Sequence, residues 1–163
     1  MKKITNLTRG VVFIMGLGVF SFCAILVPEV LREEAIAHPK VHHVDWPFIV
    51  GIWVLAAPIF IALFQTLKLL DSIDKNRAFS EKSVKSLKII KICAFTFAAL
   101  IILSAIAIVI AARAANPTED VAPVGPIGSV LVLVSVVIAT FTAVLQKLLK
   151  QAIEMKSEND LIV

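Results

Sequence analysis

Histidine gives the strongest chemical signal in this 163-residue sequence, because all three imidazoles fall in one short segment. The same segment is rich in carboxylates, and its potential metal ligands are Glu33, Glu34, His38, His42, His43 and Asp45. Imidazole and carboxylate groups are common ligands of zinc and copper. We therefore predict a metal site formed by His38, His42 and His43.

The histidine segment also fits two interpretations that involve no metal. Pro39 interrupts any helix that would place His38 and His42 on one face. A loop in contact with water can carry histidine without binding a metal. Alternatively, the imidazoles could sense pH, because their charge changes between about pH 5 and 8. Nothing in the spacing selects pH sensing.

Patterns typical of catalysis are missing from the rest of the sequence. It contains no HExxH zinc motif, Gly-rich phosphate loop, CxxC pair or nucleophile elbow. Asp, Glu, Lys, Arg and His are also absent from four long apolar stretches. Ion pumps and intramembrane proteases need such groups inside the bilayer. We therefore expect no enzyme activity and no cofactor.

Those apolar stretches are the elements that position the polar segments. The chain is 59% hydrophobic with a mean hydropathy of +0.94, above the range typical of soluble domains. About 20 apolar residues cross a bilayer as a helix, and lipid offers no partner to an unpaired backbone group. We therefore predict one all-α, polytopic membrane domain over residues 1–163, built from two helical hairpins. Its four spans cover about 10–31, 46–67, 90–112 and 126–146.

Lys and Arg are distributed unevenly between the two sides that these spans define. The N-terminal segment, the connection between spans two and three and the C-terminal tail hold 13 of them, whereas the other two connections hold 3. Positive residues favour the cytoplasmic side. We predict a multi-pass protein of the bacterial plasma membrane, in contact with the lipid bilayer, with both termini in the cytoplasm. This orientation explains the net charge of +4 without direct binding of nucleic acid.

Two spans are predicted to continue as helices on the cytoplasmic side. Apolar residues recur at helical spacing from Leu145 to Ile153, opposite charged side chains, which predicts an amphipathic tail over 147–156. Span two continues in the same way to near Asn76. Ser80 is then a suitable N-cap for the helix that enters span three.

Small residues recur every four positions inside spans three and four. They are Ala94, Ala98, Ser135, Ala139 and Ala143. Small side chains let two helices approach closely, and close packing drives helix association in lipid. We therefore expect these positions to lie at helix interfaces.

Two polar clusters on the predicted cytoplasmic side are candidate partner-binding residues. They are Lys82, Lys85 and Lys88 before span three, and Glu158, Asn159 and Asp160 in the tail. The lysines are spaced by three, so each is turned about 60° from the last, and they form a collar around the helix. A collar suits anionic lipid headgroups, and membrane orientation alone would also account for it. The tail cluster could equally be a frayed end.

The chain resembles a known family in the segments around these clusters. The segments are Asp74-Lys75-Asn76-Arg77-Ala78-Phe79-Ser80, Leu145-Gln146-Lys147-Leu148-Leu149-Lys150 and Ser157-Glu158-Asn159-Asp160-Leu161. They are similar to those of the YoaS-like bacterial four-span membrane proteins, a family of unknown function, although Ile162 stands where many members have Thr. The resemblance supplies no catalytic residues. It implies a partnership with a small Cro-like helix-turn-helix regulator encoded nearby.

Two functional hypotheses fit this pattern. The first is a non-enzymatic membrane protein that senses or responds at the envelope and binds a cytoplasmic helix-turn-helix regulator. The second is a small transporter, efflux or bacteriocin-immunity protein that binds an apolar or peptide substrate between its hairpins, with a homo-oligomer as one form. Charged sequence on the cytoplasmic side and uncharged spans favour the first hypothesis.

Overall fold

Helices account for almost all of the structure. The computed structural model describes residues 2–26, 28–29, 32, 45–75, 80–115 and 124–160, and these residues contain no strand. The helices are α1 (Lys2–Ser21), continued by a π-helical turn (Phe22–Leu26), α2 (Asp45–Asp74), α3 (Glu81–Ala115) and α4 (Val124–Asp160). The predicted all-α fold is confirmed.

Each helix contains a segment that is long and apolar enough to cross a membrane. The four candidate spans are Thr5–Ile25, Ile49–Asp74, Glu81–Ala114 and Gly125–Glu158. Only 11 to 17% of the residues in their most apolar windows are buried inside the protein. Large apolar side chains on every helix are therefore exposed, among them Phe13, Val54, Leu103 and Phe141. Such a surface is stable in lipid and not in water, because exposing apolar side chains to water costs free energy and exposing them to lipid does not.

Hydrogen bonds define the connection between α2 and α3. The N–H of Lys75 donates to the carbonyl of Asp71 at 3.2 Å, one turn back, as α2 ends. At the start of α3, the N–H of Ser83 donates to the carbonyl of Ser80 at 3.0 Å and to its hydroxyl at 3.4 Å. Glu81 occupies the first turn, where a negative charge faces the positive end of the helix dipole. The predicted N-cap at Ser80 is confirmed.

α4 extends four residues beyond the predicted end of the tail, from Lys156 to Asp160. The apolar face of the sequence pattern ends at Ile153. For this reason the predicted end of the helix was too early. A helix that has already formed gains one backbone hydrogen bond for each added residue and needs no apolar face to continue. The exposed Glu158 therefore belongs to the same helix as span four.

The helices pack in the order in which they occur in the chain. α1 packs on α2, α2 on α3, and α3 on α4. Within the described ranges, α1 contacts neither α3 nor α4, and α2 does not pack on α4. The fold is therefore an open row of antiparallel helices and not a closed bundle. The Phe20 and Trp53 rings meet edge to face, 6.1 Å apart, and help to hold α1 at the edge of the row.

Small side chains form the interface between α3 and α4. Ala98 and Ser135 are buried, and Ala139 has no exposed surface at all. Thr142, one turn beyond Ala139, is also buried. These residues allow the two helices to approach closely, as the spacing of four predicted. α3 and α4 share the most extensive contact in the described structure.

Candidate functional site

Charge separates the two ends of the helix row. One end, called here the basic end, contains the start of α1, the end of α2, the start of α3 and the end of α4. The sequence segments at this end hold 13 of the 16 Lys and Arg residues and 6 of the 12 Asp and Glu residues, which gives a net charge of +7. In the sequence, the connections between spans one and two and between spans three and four hold 3 and 6, for a net charge of −3. The basic end should therefore attract anionic groups.

Ion pairs tie α1 to α2 at the basic end. Arg9 Nη2 lies 2.9 Å from Asp74 Oδ2 and 3.4 Å from Asp71 Oδ1. Lys75 Nζ lies 2.7 Å from Asp71 Oδ2, one turn along the same helix. The two α2 carboxylates at the basic end, Asp71 and Asp74, are thus already paired with cations. Neither forms an ion pair with a described lysine of α3.

A groove between α2 and α3, called here the first groove, has a volume of about 600 Å³. Its lining residues are Phe64, Gln65, Leu67, Lys68, Asp71, Ser72, Lys82, Lys85, Ser86 and Ile89. The hydroxyl of Ser86 donates to Gln65 Oε1 at 3.3 Å and joins the two walls. Lys68 Nζ lies 4.6 Å from the centre of the Phe64 ring, a cation–π contact that places the charge beside the apolar part. The first groove therefore has an apolar and a cationic side.

A second groove, between α3 and α4, has a volume of about 480 Å³. Its lining residues are Glu81, Val84, Lys85, Lys88, Gln146, Lys150, Ile153 and Glu154. Lys150 Nζ lies 3.7 Å from Glu154 Oε1, in an exposed pair one turn apart. Because Lys85 lines both grooves, the start of α3 forms the wall between them. The second groove combines three cations, two carboxylates and two apolar side chains.

The structure divides the predicted lysine cluster between these grooves. Lys82 lines the first groove, Lys88 lines the second, and Lys85 lines both. This division follows from the spacing of three, which turns each lysine by about 60° relative to the last. All three side chains are exposed or partly exposed.

The structure describes the predicted tail cluster but not the predicted histidine site. Glu158, Asn159 and Asp160 lie in the last turns of α4, and Glu158 is exposed four residues beyond Glu154, on the same helix face. His38, His42 and His43 lie outside the described residues, so the predicted metal site stays a prediction. Among the described residues, no group of three or more His, Cys, Asp and Glu side chains could hold a metal ion.

Sequence reasoning missed the side chains that complete the two grooves. Gln65, Lys68 and Ser86 of the first groove, and Lys150 of the second, were not predicted as site residues. A polar pair such as Gln65 and Ser86 beside apolar spans was a usable signal, because buried polar groups in membranes need partners. Their pairing across two helices depends on the packing of α2 on α3, which the sequence pattern does not contain.

Buried hydroxyl groups inside the spans bond to their own helices. The hydroxyl of Ser135 donates to the carbonyl of Leu131 and that of Thr142 to the carbonyl of Ile138, each at 2.7 Å. Both cysteines of the chain are free thiols and are buried. In the described part of the chain, no buried side-chain nitrogen or oxygen lacks a hydrogen-bond partner. Satisfied hydroxyls of this kind stabilise a helix in lipid.

The helices and grooves define a multi-pass α-helical membrane protein with one strongly basic end. The chain belongs to the family described as "Protein of unknown function (DUF2975)", whose model matches residues 29–163. It is 40% identical over 150 residues to "Uncharacterized membrane protein YoaS" of Bacillus subtilis (strain 168), in an alignment that covers 92% of this chain and 91% of that protein. The predicted YoaS-like family is confirmed. No solved structure matches the chain.

Proposed function

We propose that the chain is a non-enzymatic protein of the bacterial plasma membrane that binds a regulatory protein in the cytoplasm through the second groove and the tail. In this proposal both termini and the basic end face the cytoplasm, as the uneven distribution of Lys and Arg favours. The proposed partner is the small helix-turn-helix regulator that the family resemblance implies. The proposed role is sensory or regulatory, because in the described residues no buried side-chain nitrogen or oxygen lacks a hydrogen-bond partner and no group of His, Cys, Asp and Glu could hold a metal ion.

The second groove is the observation that supports this proposal most directly. Lys88 and Lys150 project from two different helices into one groove, beside the apolar Ile153. Protein interfaces commonly combine an apolar centre with a charged rim. A partner with an acidic surface and an apolar side chain at its centre would match this pattern. Glu158, on the same helix face as Glu154, would limit the partner to one orientation.

The length of α4 also supports a partner outside the bilayer. Its 37 residues extend about 55 Å, whereas the hydrocarbon core is about 30 Å thick. The helix therefore continues beyond lipid at one or both ends. In this proposal most of the excess is the segment after Gln146, which stands at the basic end and carries Lys150, Ile153 and Glu158.

Co-purification tests the proposed partner. The full chain is co-expressed with the adjacent helix-turn-helix regulator, extracted in mild detergent and passed over a size-exclusion column. We expect the two proteins to elute together. Lys88→Gln combined with Lys150→Gln should weaken binding about tenfold, because two exposed ion pairs are lost. Truncation after Lys150, which removes Ile153, Glu154 and the tail, should abolish binding.

The matched control for co-purification is Lys68→Gln combined with Lys82→Gln. It also removes two positive charges from the basic end, but from residues that line only the first groove. Regulator binding should be unchanged in this control. If neither the full chain nor the truncated chain retains the regulator, or if both double variants weaken binding equally, the proposed site is wrong.

One observation favours a second function, that of a small transporter, efflux or bacteriocin-immunity protein. An apolar groove of about 330 Å³ lies between α2, α3 and α4, lined in part by Leu55, Ser104 and Leu131. An apolar substrate could bind there, at the boundary between the two hairpins. This function predicts that deletion of the gene changes sensitivity to apolar antibiotics or bacteriocins, and that Leu131→Trp reproduces the change by filling the groove. Unchanged sensitivity would count against it.

A further inference from the structure

The first groove changes character along its length. Phe64, Leu67 and Ile89 line one part, and Lys68, Lys82 and Lys85 line the other. The predicted spans two and three end at Leu67 and begin at residue 90. The apolar part therefore lies at the edge of the hydrocarbon layer, and the lysines lie at the depth of the lipid headgroups.

Two lysines of the first groove have no carboxylate partner within the described ranges. Neither Lys82 nor Lys85 forms an ion pair with any residue in the described ranges, and both are at least partly exposed. Asp71 is the one acidic residue that lines this groove, and its two carboxylate oxygens already face Arg9 and Lys75. The groove consequently presents a net positive surface. A bound anion would neutralise this positive charge.

Hydroxyl groups accompany these charges. The hydroxyl of Ser72 donates to the carbonyl of Lys68 at 3.1 Å, and by rotating it can donate to a ligand in the groove instead. The bond between Ser86 and Gln65 holds α2 and α3 together beside the lysines. Phosphate oxygens accept several hydrogen bonds at once, in addition to the attraction of ammonium groups.

We infer that the first groove binds an anionic phospholipid, with the headgroup phosphate among Lys68, Lys82 and Lys85 and one acyl chain along Phe64, Leu67 and Ile89. Charge complementarity selects an anionic headgroup, and the adjoining apolar wall selects a lipid over a soluble phosphate. Basic pockets between membrane helices on the cytoplasmic side are suited to this class of ligand. The lipid site is independent of the regulator proposed for the second groove. It would hold α2 and α3 at a fixed depth in the membrane.

Native mass spectrometry of the full chain in detergent tests this site with dioleoyl phosphatidylglycerol as the anionic probe. Dioleoyl phosphatidylcholine, which has the same chains and no net charge, is the matched neutral probe. Each lysine near an anionic lipid contributes about a fivefold gain in affinity. Lys68→Gln combined with Lys82→Gln should therefore lower phosphatidylglycerol retention about 25-fold, and the remaining Lys85 should keep a preference of about fivefold over phosphatidylcholine.

Two further variants separate a specific site from general attraction. Lys88→Gln combined with Lys150→Gln removes the same charge from the second groove and should leave retention unchanged. Phe64→Ala should weaken retention of the lipid severalfold, because the acyl chain loses a ring that is exposed in the groove. The thermal stability of each variant is first measured in the same detergent. Only variants as stable as the unmodified chain are compared in the lipid-retention assay.

Three results would overturn the lipid site. The first is equal retention of the two probes by the unmodified chain. The second is an equal loss of phosphatidylglycerol in both double variants, which would indicate attraction to the basic end as a whole. The third is displacement of the lipid by millimolar inorganic phosphate together with no effect of Phe64→Ala, which would indicate a soluble phosphate ligand instead.

Discussion

Arg9 Nη2 lies 2.9 Å from Asp74 Oδ2, so the guanidinium of α1 is held against the last turn of α2. Within the described structure α1 packs only on α2 and on the π-helical turn that continues it. The pair is therefore a polar contact that holds α1 at the edge of the helix row. Arg9 also contributes to the excess of positive residues at the basic end.

Exchanging the two charges tests the contribution of this pair. Arg9→Asp places a carboxylate beside Asp74 and should lower the free energy of unfolding by about 1 kcal/mol, a value limited by solvent screening at a partly exposed site. Adding Asp74→Arg restores an attractive pair and the original net charge. We expect the double variant to recover at least half of the loss. Thermal unfolding in detergent, followed by circular dichroism, measures both.

One result of the charge exchange would contradict a stabilising role for the ion pair. If the double variant is no more stable than Arg9→Asp alone, the ion pair does not hold α1 on α2. Lys75→Gln is the control, because Lys75 pairs with Asp71 inside a single helix and not across the hairpin.

Ala139 permits a second prediction, on the contact between α3 and α4. Its side chain has no exposed surface, so Ala139→Leu must push the helices apart or force strained rotamers. Overpacking of this kind costs about 1–3 kcal/mol. The matched control is Val137→Leu, a change on the same helix at a side chain that is 60% exposed. We expect the melting temperature to fall for Ala139→Leu only; equal melting temperatures would show that α4 does not pack through Ala139.

Much of the fold could be predicted because long apolar segments have few stable forms in lipid. The uncharged lengths indicate four helices, and the serine at position 80 indicates where α3 begins. The spacing of Ala98, Ser135 and Ala139 identifies the close interface. The open row could not be predicted, because helices that are apolar on all sides carry no pattern that says which face meets a neighbour.

The candidate site was only partly predictable for a related reason. Spacing within one helix indicates that Lys82, Lys85 and Lys88 point in different directions. Which groove each lysine lines depends on the neighbours of α3, and those come from segments about 20 and 60 residues away in the sequence. The contributions of Lys68 and Lys150 therefore become visible only when the helices are packed.

Ser80 gives a third prediction, on the start of α3. Its hydroxyl accepts from the N–H of Ser83 at 3.4 Å and lies 3.2 Å from the hydroxyl of Ser83, which is fully buried. Ser80→Ala should lower the free energy of unfolding by about 1 kcal/mol through loss of the cap. Ser80→Asp keeps a capping oxygen and should be nearly neutral. Urea unfolding of the detergent-solubilised protein compares them, and equal losses for both variants would exclude a capping role.

Orientation in the membrane gives the fourth prediction, and it rests on charge alone. The sequence segments that join at the basic end carry a net charge of +7 and the other two connections carry −3, which favours placing the basic end in the cytoplasm. In a background with Cys23→Ala and Cys93→Ala, single cysteines are introduced as Lys156→Cys and Arg113→Cys, both at exposed positions at opposite ends. A membrane-impermeant maleimide should label intact cells at position 113 only, and permeabilised cells at both positions. Labelling of position 156 in intact cells would reverse the orientation and remove any cytoplasmic partner from the basic end, while leaving the helix packing unchanged.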